Sequence, residues 1–246
     1  FTTFENPFLP AAEKDIAQKQ TKNALIYKQE YLAEPQSHEG LVYPEFTPEI
    51  HVVPPFNITG ARLFRSIDWG IQAPCVCLWA ALMPGGEIYI YREHYRNGLP
   101  VPKQAAMISG LSGREQIEAT VIDPSTRRRE SKAMEGKSYF ESIQMQFTRS
   151  GIPTLLGHNN VQEGISIVTD ALLNNKLFIF DTCTSLIMEF MLYEWATAAQ
   201  EEGGNANDKP KDGGDDGMDA LRYMLCMLSG KSRGTGIDTP PKNCTI

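Results

Sequence analysis

From position 62 onward the chain alternates between two hydrophobic periods. Residues 62–68 (RLFRSID) read as a short strand that stops at Asp68-Trp69-Gly70. Residues 75–83 (CVCLWAALM) are an almost unbroken apolar run, the pattern of a central strand covered on both faces. Pro84-Gly85-Gly86 supplies a tight turn, and residues 87–95 (EIYIYREHY) alternate apolar and polar positions among β-formers, which predicts a third strand and an antiparallel meander. After the meander, helical and extended patterns take turns. Helices are predicted over 102–113, 138–151 (closed by Gly151), 161–175, 185–200 and 215–228, and strands over 118–123, 152–156 and 176–180. In the helix over 161–175, Ile165, Val168, Leu172 and Leu173 share one face; in the last helix Met218, Leu221, Met224, Leu225 and Leu228 do so.

The flanks read differently. Residues 1–58 look like a linker or N-terminal extension: a mixed-charge helix over 10–32, then breakers ending in Pro54-Pro55. Residues 59–230 form the main domain, interrupted by a Gly-, Asn- and Asp-rich loop over 201–214, and 231–246 are read as a flexible tail. The chain opens on Phe1 rather than Met, as a fragment of a longer protein would. Three antiparallel strands followed by alternating helices and strands predict an α/β mixed sheet with helices on both faces, the plan of a ribonuclease H-like fold; a doubly wound nucleotide-binding fold would more usually open with a βαβ unit.

Composition narrows the class. With 246 residues, 41% hydrophobic and 22% charged, the chain can bury a sizeable core. No stretch approaches the roughly 18 apolar residues of a membrane helix, and no secretory leader is visible at the start. The five cysteines are odd in number and lack zinc-ligand spacing; Cys75 and Cys77 share a strand face and read as reduced core thiols, which suits a reducing cytoplasm. The four histidines are scattered. A net charge of -7 weighs against a uniformly basic nucleic-acid binder. The basic residues are bunched, however, at Arg127, Arg128, Arg129, Lys132 and Lys137, at Lys209 and Lys211, and at Lys231 and Arg233, and local patches can hold phosphate on an acidic protein.

The acidic residues carry the candidate chemistry. Asp68 closes the first strand (SIDWG), Asp123 closes the fourth (VIDPS), and Asp215, Asp216 and Asp219 open the last helix (DDGMDALRY). If the first and fourth strands are parallel neighbours, Asp68 and Asp123 meet at one carboxyl edge, where open α/β sheets place their sites. Asp219 is within one helical turn of Asp215 and Asp216. Each aspartate alone is explained by a turn or a helix start; their combination is the signal. Converging carboxylates repel, and one or two Mg²⁺ or Mn²⁺ ions would relieve the repulsion and serve phosphodiester hydrolysis. Gly136-Lys137-Ser138 imitates the end of a phosphate-binding loop, but the required upstream Gly is Ser131. That segment is expected to lead into a helix, with Lys137 able to touch a phosphate.

With these residues in place, the chain resembles the C-terminal nuclease domain of phage large terminase subunits over nearly its whole length. NPFLP, YKQEYLAE and GLVYPEF are similar to the family's linker between ATPase and nuclease. SIDWG and VIDPS resemble its first and second acidic motifs, GIPTLLGHNNVQEGISIVTDALLNNKLFIF its middle region, and KPKDGGDDGMDALRY its last and most specific motif. The resemblance implies a ribonuclease H-like, two-metal endonuclease acting on double-stranded DNA, with Asp68, Asp123 and Asp219 as the metal-binding triad. Asp216 stands where many relatives have His, which would add a carboxylate to the metal site. Lys209 and Lys211 flank Pro210, while Asp212 holds the position where relatives often carry a phosphate-contacting Lys. Arg127, Arg128, Arg129, Lys137, Lys209 and Lys211 are the candidate DNA contacts. The resemblance further implies an upstream ATPase absent from this chain, the portal protein and the small terminase subunit as partners, and the host cell cytoplasm as the place of action. The residues leave open another ribonuclease H-like nuclease, such as a junction resolvase, and a non-catalytic module docking DNA or portal.

Overall fold

A computed structural model describes residues 40–70, 72–134, 137–196, 209–211 and 213–230. The helix read over 10–32, the loop over 201–208 and the tail over 231–246 lie outside the described residues.

A one-turn helix α1 (Pro48–His51) leads into the short strand β1 (Val52–Val53), and the meander follows as β2 (Arg62–Asp68), β3 (Cys75–Leu82) and β4 (Ile88–Arg96). Next come helix α2 (Val101–Ser112), β5 (Ile117–Ile122), a hairpin of β6 (Arg129–Met134) and β7 (Lys137–Ser142), and α3 (Ile143–Arg149). β8 (Leu155–Leu156), α4 (Val161–Leu173), β9 (Leu177–Phe180), α5 (Thr184–Leu192) and α6 (Asp216–Leu228) complete the order. Seven strands form one sheet in the order β1-β9-β4-β3-β2-β5-β8, and β6-β7 stand apart as a second. β2, β3 and β4 are antiparallel, whereas β5 pairs parallel with β2 and β8 parallel with β5. This is the predicted mixed sheet, with the unbroken apolar run of β3 buried at every position.

Helices cover both faces. Arg65 Nη1 and Trp79 Nε1 donate to Ser112 Oγ at 2.9 and 3.0 Å, tying α2 to β2 and β3. Asp68 is three positions from Arg65 on the same strand and therefore points to the opposite face. That face is crossed by α6, which packs on β2, β3 and β5 and against α4 and α5. A helix enclosed between a sheet and two other helices must be apolar on nearly every side. Accordingly the predicted stripe is buried, and so are Ala220, Arg222, Tyr223, Cys226 and Met227.

Several element readings need correction. Residues 138–151 are not one helix: Lys137–Ser142 is a strand paired with β6, and the helix begins only after Ser142, whose hydroxyl accepts from Met145 N–H at 3.2 Å. The same strand removes the expectation that Lys137 and Ser138 open a helix. The helix over 185–200 ends at Leu192; Glu194 and Trp195 then pair in extended form with Leu41 and Pro210. Leu173 is 63% exposed, so the buried face of α4 is carried by Ile165, Val168, Ala171 and Leu172. Of the stretch read as an extension, residues 41–53 are built into the domain. Val42 N–H donates to Tyr193 O at 2.8 Å, Phe46 stacks on Phe190 with centroids 4.3 Å apart, and β1 adds a parallel strand beside β9. The aromatic residues of GLVYPEF supply that packing, outweighing its breakers.

Cys75, Cys77, Cys183 and Cys226 are buried. Among the described residues no helix is long and apolar enough to cross a membrane.

Candidate metal centre

The last parallel pair between β2 and β5 is Ile67 with Ile122. The next residue on each strand is an aspartate, and Asp123 N–H donates to Ile67 O at 3.0 Å, so Asp68 and Asp123 stand side by side at the carboxyl edge. Pro124 has no N–H to continue the ladder. The chain turns into a short 3-10 helix, Pro124–Arg127, whose N-cap is Asp123. The Asp123 carboxylate accepts from Ser125 N–H at 2.9 Å and from the Ser125 hydroxyl. On the other side, β8 ends beside Ile122 and Gly157 N–H donates to Ile122 O at 2.8 Å. A Cβ at Gly157 would come within 2.9 Å of the Tyr223 ring, so that ring of α6 packs directly over the strand that delivers Asp123. The Tyr223 hydroxyl is 3.5 Å from Asp123 Oδ1.

The first turn of α6 brings Asp215, Asp216 and Asp219. Asp219 N–H donates to Asp215 O at 2.9 Å, which fixes the turn. The electrostatics bind these aspartates to the sheet edge. Burial pushes the Asp68 carboxyl up to about 8, and the negative charges of Asp219, Asp123, Asp216 and Asp215 add to the shift, in that order. Asp215 and Asp216 are also raised, chiefly by burial and with a further contribution from Asp219. Every aspartate singled out from the sequence is therefore brought within electrostatic reach of Asp68.

The opposing charge is Arg222, which the sequence reading does not single out. It is 2% exposed and donates to Asp219 Oδ1. A signal for it exists: an arginine three residues after Asp219, amid otherwise buried positions of α6. Glu189 is likewise missed. Its carboxylate, pushed up to about 8 by burial, accepts from Met218 N–H at 3.0 Å in the first turn of α6.

The donor chemistry fits a hard divalent cation: aspartate oxygens gathered about Asp68, which is raised first by burial and then by their charges, with the guanidinium of Arg222 beside Asp219. The carboxylates are not turned onto one point. Asp123 faces Ser125 and Asp219 faces Arg222, and among the described residues no three His, Cys, Asp or Glu side chains are arranged to enclose a metal. The histidines take other roles. His51 Nε2 lies 3.2 Å from Leu172 O, His94 bonds Gln104 at 2.9 Å, and His158 pairs with Glu163 at 2.7 Å.

The predicted basic contacts are not one patch. Arg127 and Arg128 are exposed on the turn that follows Asp123. Arg129 starts β6 at the base of the hairpin, paired with Ser142, whereas Lys137 pairs with Met134 at its far end. Five residues of strand separate those two levels by about 17 Å. Lys209 and Lys211 are exposed on a segment that bonds back to Glu194 and Ala196 shortly before Asp215.

The family model for the terminase RNaseH-like domain matches residues 65–228. Among solved structures, the large terminase of a thermophilic bacteriophage is similar with a TM-score of 0.64 at 23% identity, over 92% of this chain and 54% of that one. This chain thus spans about half the length of that protein. The P22 large terminase nuclease domain aligns with a TM-score of 0.59 at 20% identity, over 77% of this chain and 92% of that one. The large terminase nuclease of another thermophilic phage, G20c, with bound magnesium gives 0.52 at 15% identity, over 78% and 98%, and its cobalt-bound structure gives 0.51. At these identities the likeness is one of fold. No curated protein sequence matches the chain. The family model spans both strand-end aspartates and all of the last helix, and the chain belongs to the terminase RNaseH-like domain family.

Proposed function

We propose that this chain is the nuclease part of a phage large terminase subunit, a metal-dependent endonuclease that cuts double-stranded DNA during genome packaging. The observation that carries the reading is the convergence of Asp68, Asp123 and the Asp215–Asp219 turn, from three distant parts of the sequence, on one sheet edge. Asp68, Asp123 and Asp219 would hold one or two divalent ions, Mg²⁺ or Mn²⁺, with Asp216 as a fourth ligand. Such ions, when bound, favour the attack of water on a backbone phosphorus and neutralise charge on the departing oxygen, leaving a 3′-hydroxyl and a 5′-phosphate.

The protein's own groups set the stage for this. Asp68, pushed up to about 8 first by burial and then by its acidic neighbours, favours its protonated form at neutral pH, so a cation held there would displace that proton. To hold a cation, Asp219 would have to give up its bond from Arg222, and Asp123 its bonds from Ser125. Arg127, Arg128, Arg129, Lys137, Lys209 and Lys211 would engage DNA phosphates, which position a duplex without reading its sequence. In the whole protein we expect an ATPase ahead of this domain, portal and small terminase subunit as partners, and the host cell cytoplasm as the site of action. The domain division proposed is a linker and N-terminal extension over 1–58, of which residues 41–53 pack on the nuclease domain, the nuclease domain over 59–230, and a tail over 231–246.

Incubation with supercoiled plasmid in EDTA, Mg²⁺ or Mn²⁺, beside the Asp123→Asn variant, tests the reading. Metal-dependent nicking and linearisation that the variant lacks is expected. A folded wild type that binds DNA equally well in EDTA and with Asp123→Asn, and never cuts, would favour a docking module. Preference for four-way junctions over linear duplex would favour a resolvase.

A further inference from the structure

The N-terminus of α6 is capped from outside the helix. Asp215 occupies the N-cap position but makes no side-chain cap; its Oδ1 accepts from Gly213 N–H at 3.3 Å instead. The first N–H groups of a helix have no partner within it, and a buried one must find an acceptor elsewhere. Here the acceptor for Met218 N–H is Glu189, one turn before the end of α5. α5 is itself anchored to the sheet by Glu93 of β4, whose two carboxylate oxygens accept from Ser185 N–H and Leu186 N–H, each at 2.9 Å.

The sheet supplies a second contact. Asp68 is opposite Val76 and Val76 is opposite Tyr95, so Asp68 and Tyr95 share a face in one row across three strands. The Tyr95 hydroxyl is buried and lies against the Glu189 carboxylate. Gly217 fits between them: a Cβ there would overlap the Tyr95 hydroxyl and come within 2.8 Å of Glu189 Oε2. Gly217 lies between Asp216 and Asp219, so the seat that accepts it sets the height of both aspartates above the row that contains Asp68.

We propose that Glu189 and Tyr95 are positioning residues, which seat the Gly217–Met218 turn and so hold the first turn of α6, with Asp216 and Asp219, over the strand row that contains Asp68. Because the cap comes from α5, none of the helix's own first-turn aspartates is used to cap Met218 N–H. The inference rests on the metal-site reading of those aspartates.

The test is Mn²⁺ binding to the whole chain by titration calorimetry, with an EDTA melt of each variant to establish folding. Glu189→Ala and Gly217→Ala are expected to weaken Mn²⁺ binding by about tenfold or more, the usual range for groups that orient ligands. Glu189→Gln keeps an acceptor for Met218 N–H and is expected to stay within about threefold of wild type, on the same scale. Equal losses in Glu189→Gln and Glu189→Ala would overturn the proposal, because the carboxyl group itself rather than an acceptor for Met218 N–H would then matter. Unchanged affinity in a folded Glu189→Ala or Gly217→Ala would also overturn it. If Glu189→Ala does not fold, Gly217→Ala decides, since it leaves every carboxylate in place. A wild type that binds no Mn²⁺ would overturn the nuclease reading itself, and this inference with it.

Discussion

Arg222 donates to the carboxylate of Asp219, three residues back on α6, from a side chain that is 3% exposed. A guanidinium so placed depends on that partner, whereas Asp219, at 28%, is open to solvent on its other side. The pair gives the last aspartate two duties, as counter-charge for a buried cation and as a candidate ligand.

Asp219→Asn should therefore abolish metal-dependent cutting and also destabilise the fold by about 3 kcal/mol, the scale for leaving one partner of a buried pair uncompensated. Urea unfolding in EDTA measures the second effect. An unchanged midpoint would show that Arg222 does not rely on Asp219.

Asp68→Asn should abolish cutting with the opposite effect on stability. The Asp68 carboxyl titrates at about 8 in the fold, against about 3.9 when unfolded. The folded state thus holds the extra proton between those values, so the contribution is complete below about pH 4 and is lost as pH rises through about 8. In EDTA the wild-type midpoint should fall from about pH 5 to about pH 9, and Asp68→Asn should flatten that slope and be the more stable form at about pH 8. A slope identical in both would remove Asp68 as its source.

Gly157→Val should cost about 1–3 kcal/mol, as overpacking does, because its side chain would enter the Tyr223 ring beside the strand that ends at Asp123. Cutting should fall further than stability. By contrast Tyr223→Phe loses only a 3.5 Å contact to Asp123 and should keep a turnover rate within about threefold, since so long a bond contributes little. A large loss in Tyr223→Phe would give the hydroxyl a part in the chemistry.

Replacing Arg127 and Arg128 together by Ala should weaken binding to any duplex and lower the slope of log affinity against log salt by about 2, near one per phosphate contact. Mn²⁺ affinity should not change. A salt slope equal to that of wild type would place the DNA elsewhere.

Much of this is legible in the sequence because each aspartate lies at one end of an element whose pattern is strong. β3 is a continuous apolar run, β4 alternates, and α6 has a clear stripe, so Asp68, Asp123 and Asp219 fall at predictable boundaries. The second strand of the β6–β7 hairpin reads as helix because Lys137–Ser142 runs straight into Ile143–Arg149 with no breaker between them. Residues 41–53 look like linker because their partners, Phe190, Tyr193 and Ile179, lie more than 100 positions away. Glu189 is hidden for the same reason: a cap delivered by another helix leaves no local pattern, unlike the Ser142 cap of α3. Arg222 carries only a weak signal in sequence, its spacing of three from Asp219; its enclosure in the fold gives that spacing meaning.

The lead-in over residues 41–46 does not hang beside the domain but clasps α5, through Val42 on Tyr193 and Phe46 on Phe190. α5 is the element that presents Glu189 to the turn bearing Asp216 and Asp219. Tension applied to the chain at residue 41 would consequently load α5, and through Glu189 the first turn of α6.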